Sequence, residues 1–359
     1  MRRRRADVSC DDCELSGWGD MTRRLGWDVG GAHLKAALHD EGRIVGVWQE
    51  PSPLWLGLDH LETALTNILA QTGPVAAHRL TMTGELADIF PDRLAGVQQL
   101  THCLERRLGP DLAIYAGEKG LVPPQRATEF AALVGSANWH ASAALVASRL
   151  QQGLLVDMGS TTTDIVPVSG GQICNIGYTD AERLAAGELV YQGFTRTSLM
   201  AVALNVPFRG RAAPVMAEHF ATMADAQRLI GNFDETDDQM PSADGRDKSQ
   251  AASRARLARM LGHDADDATS EEWTAVAGAF AEAQLRRIHD AALQVLSRGD
   301  IAADAPLILA GSGRPLLRRL AARLDRGVVD FADLADCRAT LREAASRAAP
   351  AVALAAIQT

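Results

Sequence analysis

The sequence predicts a two-lobed α/β fold, and three observations carry that prediction. A strand–loop–strand–turn–strand unit begins at Leu25 and again at Leu154. The two copies keep one register of 129 residues, with Asp28 on Asp157, Gly30 on Gly159, Lys35 on Asp164, Gly42 on Gly171 and Ile44 on Ile173. A chain of 359 residues also has the length of two domains at roughly 100–200 residues each.

In the first copy, alternating and apolar runs give strands at Leu25–Val29, Leu34–His39 and Arg43–Trp48, the last pair joined by Glu41-Gly42. Helical spacing follows at 58–69, a short strand at 80–83, and helical stretches at 85–90 and 93–108. Leu112–Tyr115 reads as a strand, followed by the loop 117–124. Trp139, Ala143, Val146 and Leu150 mark an amphipathic helix. The second copy has strands at 154–158, 164–168 and 172–176 around the polar loop Gly159–Thr163. Farther on, 273–296 reads as a long amphipathic helix and 306–310 as a buried strand. Gly311-Ser-Gly313 reads as a tight turn, and 315–324 as a helix with proline at its first position. An alanine-rich helix over 339–357 is interrupted at Pro350.

These patterns divide the chain into a tail (1–20), a first lobe (21–150) and a second lobe (151–359) whose terminal helix can return to the first. Met21 leads directly into the first strand and is the expected native start. Residues 234–272 carry eleven acidic and five basic residues, which reads as a mobile surface insertion.

Composition excludes several classes. Hydrophobic residues make up 47%, enough to bury two cores and too many for disorder. No apolar run approaches the ~18 residues of a membrane helix. The charge of −9 argues against nucleic acid as a partner. Five scattered cysteines fit a reducing cytoplasm, and Cys10-x-x-Cys13 lacks the second pair that a zinc site needs. Only three of the 36 basic residues are lysine (Lys35, Lys119 and Lys248), so each invites a question.

The chemistry concentrates in the duplicated loops. Glycines between two strands allow backbone N–H groups close to an anion, so Gly30, Gly31 and Gly159 are candidate phosphate contacts. Ser160, Thr161 and Thr162 add hydroxyl donors, although local turn capping explains such residues too. Asp28, Asp157 and Asp164 are candidate ligands for a divalent cation, and Lys35 can offset phosphate charge. Gly311 and Gly313 open a helix, where an anion or a ligand ring can sit; a structural turn would read the same. Neither a GxGxxG nor a GxxxxGK[ST] motif is present.

The paired Asp-x-Gly loops and the late Gly-Ser-Gly turn resemble the actin, hexokinase and Hsp70 superfamily, which implies an actin-like, ribonuclease H-like fold with duplicated phosphate-binding units. More narrowly, several segments are similar to hydantoinase/oxoprolinase-related proteins linked to tetrahydromethanopterin-dependent one-carbon transfer. They are Gly26–Ala32, Thr81–Asp88, Gly135–His140, Asp157–Ile165, Gly187–Tyr191 and Glu218–Thr222. Those proteins resemble archaeal condensing enzymes of methanofuran biosynthesis.

The resemblance implies a transferase that joins an aminomethylfuran-methyl diphosphate to the phenol of a glutamyl-tyramine or tyrosine unit and releases pyrophosphate. It implies Mg2+ as cofactor, with ATP or ADP admissible but not favoured. Small-molecule substrates would be the partners, and a homo-oligomer stays open. In that frame Lys35, Glu85 and Asp157 are the expected catalytic residues, with Glu85 the first candidate base and Glu188 the second. Lys119, Asn138, Glu188 and Arg196 are expected at the substrate. Each has a plainer reading as a cap, a surface pair or a packing residue; for His140, Tyr178 and Tyr191 core packing is equally open. Competing functions are an ATP-dependent small-molecule kinase, a non-catalytic nucleotide-binding protein and an ATP-driven opener of cyclic amides.

Overall fold

The computed structural model describes residues 23–357, so the arginine-rich tail, the Cys10–Cys13 pair and the Met21 start lie outside the described residues. Strand β1 (Arg24–Val29) is buried along its whole length, as the centre of a sheet requires. Next to it β2 (His33–Asp40) runs antiparallel, with Asp28 opposite Lys35. Glu41 and Gly42, both at positive φ, turn the chain into the antiparallel β3 (Arg43–Pro51). Helix α1 (Leu58–Thr72) then crosses to β4 (Ala77–Met82), parallel to β1, and α2 (Arg93–Leu108) crosses to β5 (Leu112–Tyr115). The edge strand β6 (Leu121–Val122), α3 (Ala131–Val134) and α4 (Asn138–Arg149) complete this half.

The second half repeats the plan. Strands β7 (Gln152–Met158) and β8 (Thr163–Ser169) form the equivalent hairpin, with Asp157 opposite Asp164, and β9 (Gln172–Ile173) takes the place of β3. Helix α5 (Asp180–Ala186) leads to β10 (Leu189–Val190), which pairs with the other end of the same β8 edge. A side layer follows: the hairpin β11 (Asn205–Phe208) and β12 (Arg211–Pro214), then α6 (Met223–Ile230), α7 (Gln250–Met260) and α8 (Ser270–Leu296). The chain re-enters the sheet as β13 (Leu307–Ala310), parallel to β7, and passes through α9 (Arg314–Arg323) to β14 (Val328–Asp330). It ends in α10 (Phe331–Leu334), α11 (Arg342–Arg347) and α12 (Ala349–Ala356).

In each sheet, three antiparallel strands are followed by two parallel ones in the order 3-2-1-4-5. That arrangement, present twice, is the ribonuclease H-like plan, and the molecule is a two-lobed actin-like α/β protein. The apolar helix α12 packs against β1 and α4, between the two repeated units. A Cβ on Gly26 would collide with the Ala351 carbonyl oxygen, so glycine in β1 sets how closely this helix can approach.

Three expectations need correction. Residues 85–90 form turns rather than a helix; the chain becomes helical only at Arg93, where Asp92 caps α2 by accepting from the Ala95 N–H at 2.8 Å. The acidic segment is not simply a surface insertion, because α7 packs into a core with α6 and α8. Its Arg256 is 0% exposed and donates to Asp225 at 2.7 Å and Asp244 at 3.0 Å. The terminal helix breaks at Ala348 rather than Pro350, and both Pro350 and Pro315 take second helical positions, where a missing N–H costs little.

Candidate active site

The two hairpin loops make the same turn. Gly30 N–H donates to the His33 carbonyl at 3.0 Å, and Gly159 N–H to the Thr162 carbonyl at 3.0 Å. Each loop is braced by a later segment at the equivalent carbonyl: Leu54 N–H reaches Gly31, and Arg196 N–H reaches Ser160, both at 2.9 Å. The loops face one another across a cleft of about 530 Å³ that also receives Asp28, His33, Lys35 and Asp164. A Cβ at Gly31 would meet nothing within 4 Å, so that side of the loop is open to a ligand.

Burial dominates the electrostatics. It raises the carboxyls of Asp28, Asp157 and Asp164 above their ordinary range, Asp157 to about 7 with help from Asp164. Asp28 Oδ1 is buried without a hydrogen-bond partner. Asp164 is held by the buried Arg183 guanidinium at 2.9 Å, which also stacks on Trp139. Lys35 Nζ donates to the Arg347 carbonyl at 3.0 Å, tying the first hairpin to α11. Burial, then Lys35 and Arg196, lower His33 to about 3, so the cleft holds a neutral imidazole.

Ser160, Thr161, Thr162, Asn138 and Arg196 all line the cleft. Arg196 donates to Thr161 Oγ1 at 3.1 Å and lies 5.1 Å over the Trp55 ring, joining the second loop to the rim of the first lobe. Asn138 Oδ1 accepts from the Trp139 N–H at 2.8 Å. Tyr191 is 64% exposed at the rim. Tyr178 instead packs edge-on against Trp139 and donates to the Leu133 carbonyl, and His140 bonds Tyr115 at 2.8 Å.

The structure does not bring the other candidates to the cleft. Asp157 sits behind the wall, close to where a Gly311 side chain would project. Gly311 N–H donates to the Ser346 carbonyl and Gly313 N–H to the Met158 carbonyl, and a Cβ on either glycine would collide with Met158. Met158 therefore closes the Cβ side of this turn, and neither glycine lines the cleft. Lys119 is exposed on a separate loop. Glu188 is fully buried, accepting from Ile176 N–H, Gly177 N–H and Arg298.

Glu85 lies one residue behind the cleft. It is 0% exposed, burial pushes it up to about 7, and it accepts at 3.0 Å from Ser136 Oγ, which does line the cleft. Sequence reasoning missed His33, Trp55, Ser136, Asp180 and Arg183 as cleft residues. The Thr179-x-x-Glu182 capping box was the available signal for α5, which carries the last two.

Among the described residues, no group of three His, Cys, Asp or Glu stands together to hold a metal ion, and no helix is long and apolar enough to cross a membrane. The hydantoinase/oxoprolinase family model matches residues 77–356. The (4-{4-[2-(gamma-L-glutamylamino)ethyl]phenoxymethyl}furan-2-yl)methanamine synthase of Methanocaldococcus jannaschii is 31% identical over 249 residues, 69% of this chain and 74% of that protein. The protein of the same name from Methanococcus vannielii is 34% identical over 119 residues, 33% of this chain and 53% of its own length. Among solved structures, nucleotide-free acetone carboxylase aligns with a TM-score of 0.52 at 10% identity, covering 82% of this chain and 66% of that one. That likeness is one of fold.

Proposed function

Since this chain belongs to the hydantoinase/oxoprolinase family, we propose that it joins the phenol oxygen of a γ-glutamyl-tyramine or tyrosine unit to the methylene of an aminomethylfuran-methyl diphosphate. The products are an aryl ether and pyrophosphate, as in the assembly of a methanofuran-type cofactor. One observation carries this reading: two matching glycine turns face each other across one cleft, in a chain whose relative is named for a phenoxymethyl-furan product.

The chemistry required is displacement at a methylene, with the O–CH2 bond to phenol forming as the CH2–O bond to diphosphate breaks. The diphosphate leaves with more negative charge than it brought, and preorganised donors lower the barrier to that change. The Gly30–Gly31 turn and the hydroxyls of Ser160, Thr161 and Thr162 line the cleft where such oxygens would bind. Arg196, fixed between Thr161 and Trp55, supplies a positive charge beside them. Lys35 adds a second charge, held in the wall by the Arg347 carbonyl.

The donor set suits Mg2+, which is commonly held by one or two carboxylates and completed by phosphate oxygens and water. Asp28, with its unpartnered buried oxygen, would hold it, with Asp164 of the second hairpin lining the same cleft. When bound, the ion supplies neutralising charge to the diphosphate. The apolar rim of Trp55, Leu86 and Tyr191 suits the furan and phenol rings. The ATP-dependent alternative would place adenosine at Gly311–Gly313, where the backbone already packs on Met158.

The test is a reaction with both substrates and Mg2+, read by mass spectrometry for the ether and by an enzyme-coupled assay for pyrophosphate. Ether and pyrophosphate in equal amounts without ATP are expected. ADP formation that depends on the acceptor, with no ether, would reject this reading in favour of a kinase.

A further inference from the structure

Four non-glycine residues among those described have positive φ, and Glu41, Arg209 and Asp325 of these lie in exposed turns. The fourth is Ser136, at φ 55 on the cleft wall two residues before α4. L side chains rarely adopt this conformation, and where it persists at a ligand site the surroundings enforce it. Here the enforced consequence is direction: the Ser136 hydroxyl faces Glu85 Oε1 at 3.0 Å while the residue borders the cleft.

The carboxylate behind it is enclosed. Glu85 Oε2 is buried with no partner, and a Cβ on Gly135 would come within 2.9 Å of Oε1, so glycine admits the carboxylate this close to the Ser136 backbone. Three groups face Glu85. Ser136 donates to it, Arg93 of α2 lies 3.7 Å from Oε1, and Asp180 of α5 binds Arg93 at 3.1 Å while standing 3.4 Å from Ser136 Oγ. A substrate in the cleft therefore meets the serine, and Glu85 is reached through it.

We propose that Ser136 is a proton relay: it takes the proton of the acceptor phenol while handing its own hydroxyl proton to Glu85. The phenol O–H bond breaks as a Ser136 O–H bond forms, the original Ser136 proton ends on Glu85 Oε1, and the phenolate attacks the donor methylene. This deepens, and rests on, the ether-forming reading. The environment suits the task, because burial lifts Glu85 to about 7 and narrows the gap to a phenol near ~10.

The experiment compares Ser136→Ala, Ser136→Gly and Glu85→Gln with the unsubstituted full chain, using two acceptors. One carries an ordinary phenol and the other a ring-fluorinated phenol already ionised at the assay pH. With the ordinary phenol, each variant is expected to lose about 10²-fold or more in kcat while the KM for the diphosphate donor holds. The rise in kcat through about pH 7 should vanish in Glu85→Gln. With the acidic phenol, which needs no base, the loss should largely disappear.

Equal losses with both acceptors, or full activity of both serine variants on the ordinary phenol, would overturn the relay. Ser136→Gly removes the hydroxyl while easing the backbone, so it separates chemistry from folding. Ether from the unsubstituted protein with equal variant losses defeats the relay alone. No ether from the unsubstituted protein with either acceptor defeats the ether-forming reading and the relay together.

Discussion

Asp28 and Asp157 hold the same place in the two repeated hairpins, each opposite the seventh residue on, yet only Asp28 reaches the cleft with an unpartnered buried oxygen. The symmetry of the fold does not extend to the chemistry. Asp28→Asn is expected to cut turnover by about 10²-fold and to remove its Mg2+ dependence. Asp157→Asn should keep that dependence and lose less. Initial rates against Mg2+ concentration decide this, and the reverse ranking would show that the metal site is misplaced.

Two glycines separate binding from folding. Gly31→Ala adds a methyl into open space, so the melting temperature should hold while pyrophosphate inhibits more weakly. Gly26→Ala drives a methyl into the α12 backbone and should destabilise the protein by about 1–3 kcal/mol, the usual cost of overpacking. Thermal melts and inhibition constants measured on the same two variants check both.

Glu85 makes stability depend on pH. Its folded carboxyl titrates near 7 against an ordinary 4.5, so ionising it opposes folding. Its contribution is favourable at low pH and is lost as pH rises from about 4.5 to 7. Melting temperatures at pH 5 and pH 8 should therefore shift toward Glu85→Gln relative to the unsubstituted protein at the higher pH. An unchanged difference would mean that the carboxyl titrates normally.

Arg256 tests whether 234–272 is part of the folded core. Arg256→Ala removes the shortest ion pair of the buried Asp225, leaving it the Arg228 guanidinium at 3.6 Å and the Ser253 hydroxyl, and should cost about 3 kcal/mol in denaturant unfolding. Limited proteolysis of the unsubstituted protein should find α7 protected. Early cleavage there would restore the picture of a mobile insertion.

The duplicated hairpins were legible because strand alternation, glycine loops and register are all local signals. What escaped depends on contacts that sequence patterning does not encode. The charge-rich 234–272 reads as solvated, but Arg256 is buried by Asp225 of α6 and by Asp244 of its own segment. Glu188 looks like an available carboxylate until Ile176, Gly177 and Arg298 occupy it. The Gly311–Gly313 turn has the composition of a ligand loop, and only tertiary structure shows that it lies off the cleft with Met158 against its Cβ side. Ser136 carried no compositional mark, because its backbone conformation is set by tertiary structure.

The most direct test of ether formation at the phenol oxygen uses an acceptor labelled with 18O at that atom, with unlabelled donor and Mg2+. The label should appear wholly in the aryl ether, with unlabelled pyrophosphate released in equal amount. Label in released phosphate or pyrophosphate would show that the phenol oxygen bonded to phosphorus instead of the methylene, and an unlabelled ether that it was not the attacking atom; either result would contradict the account.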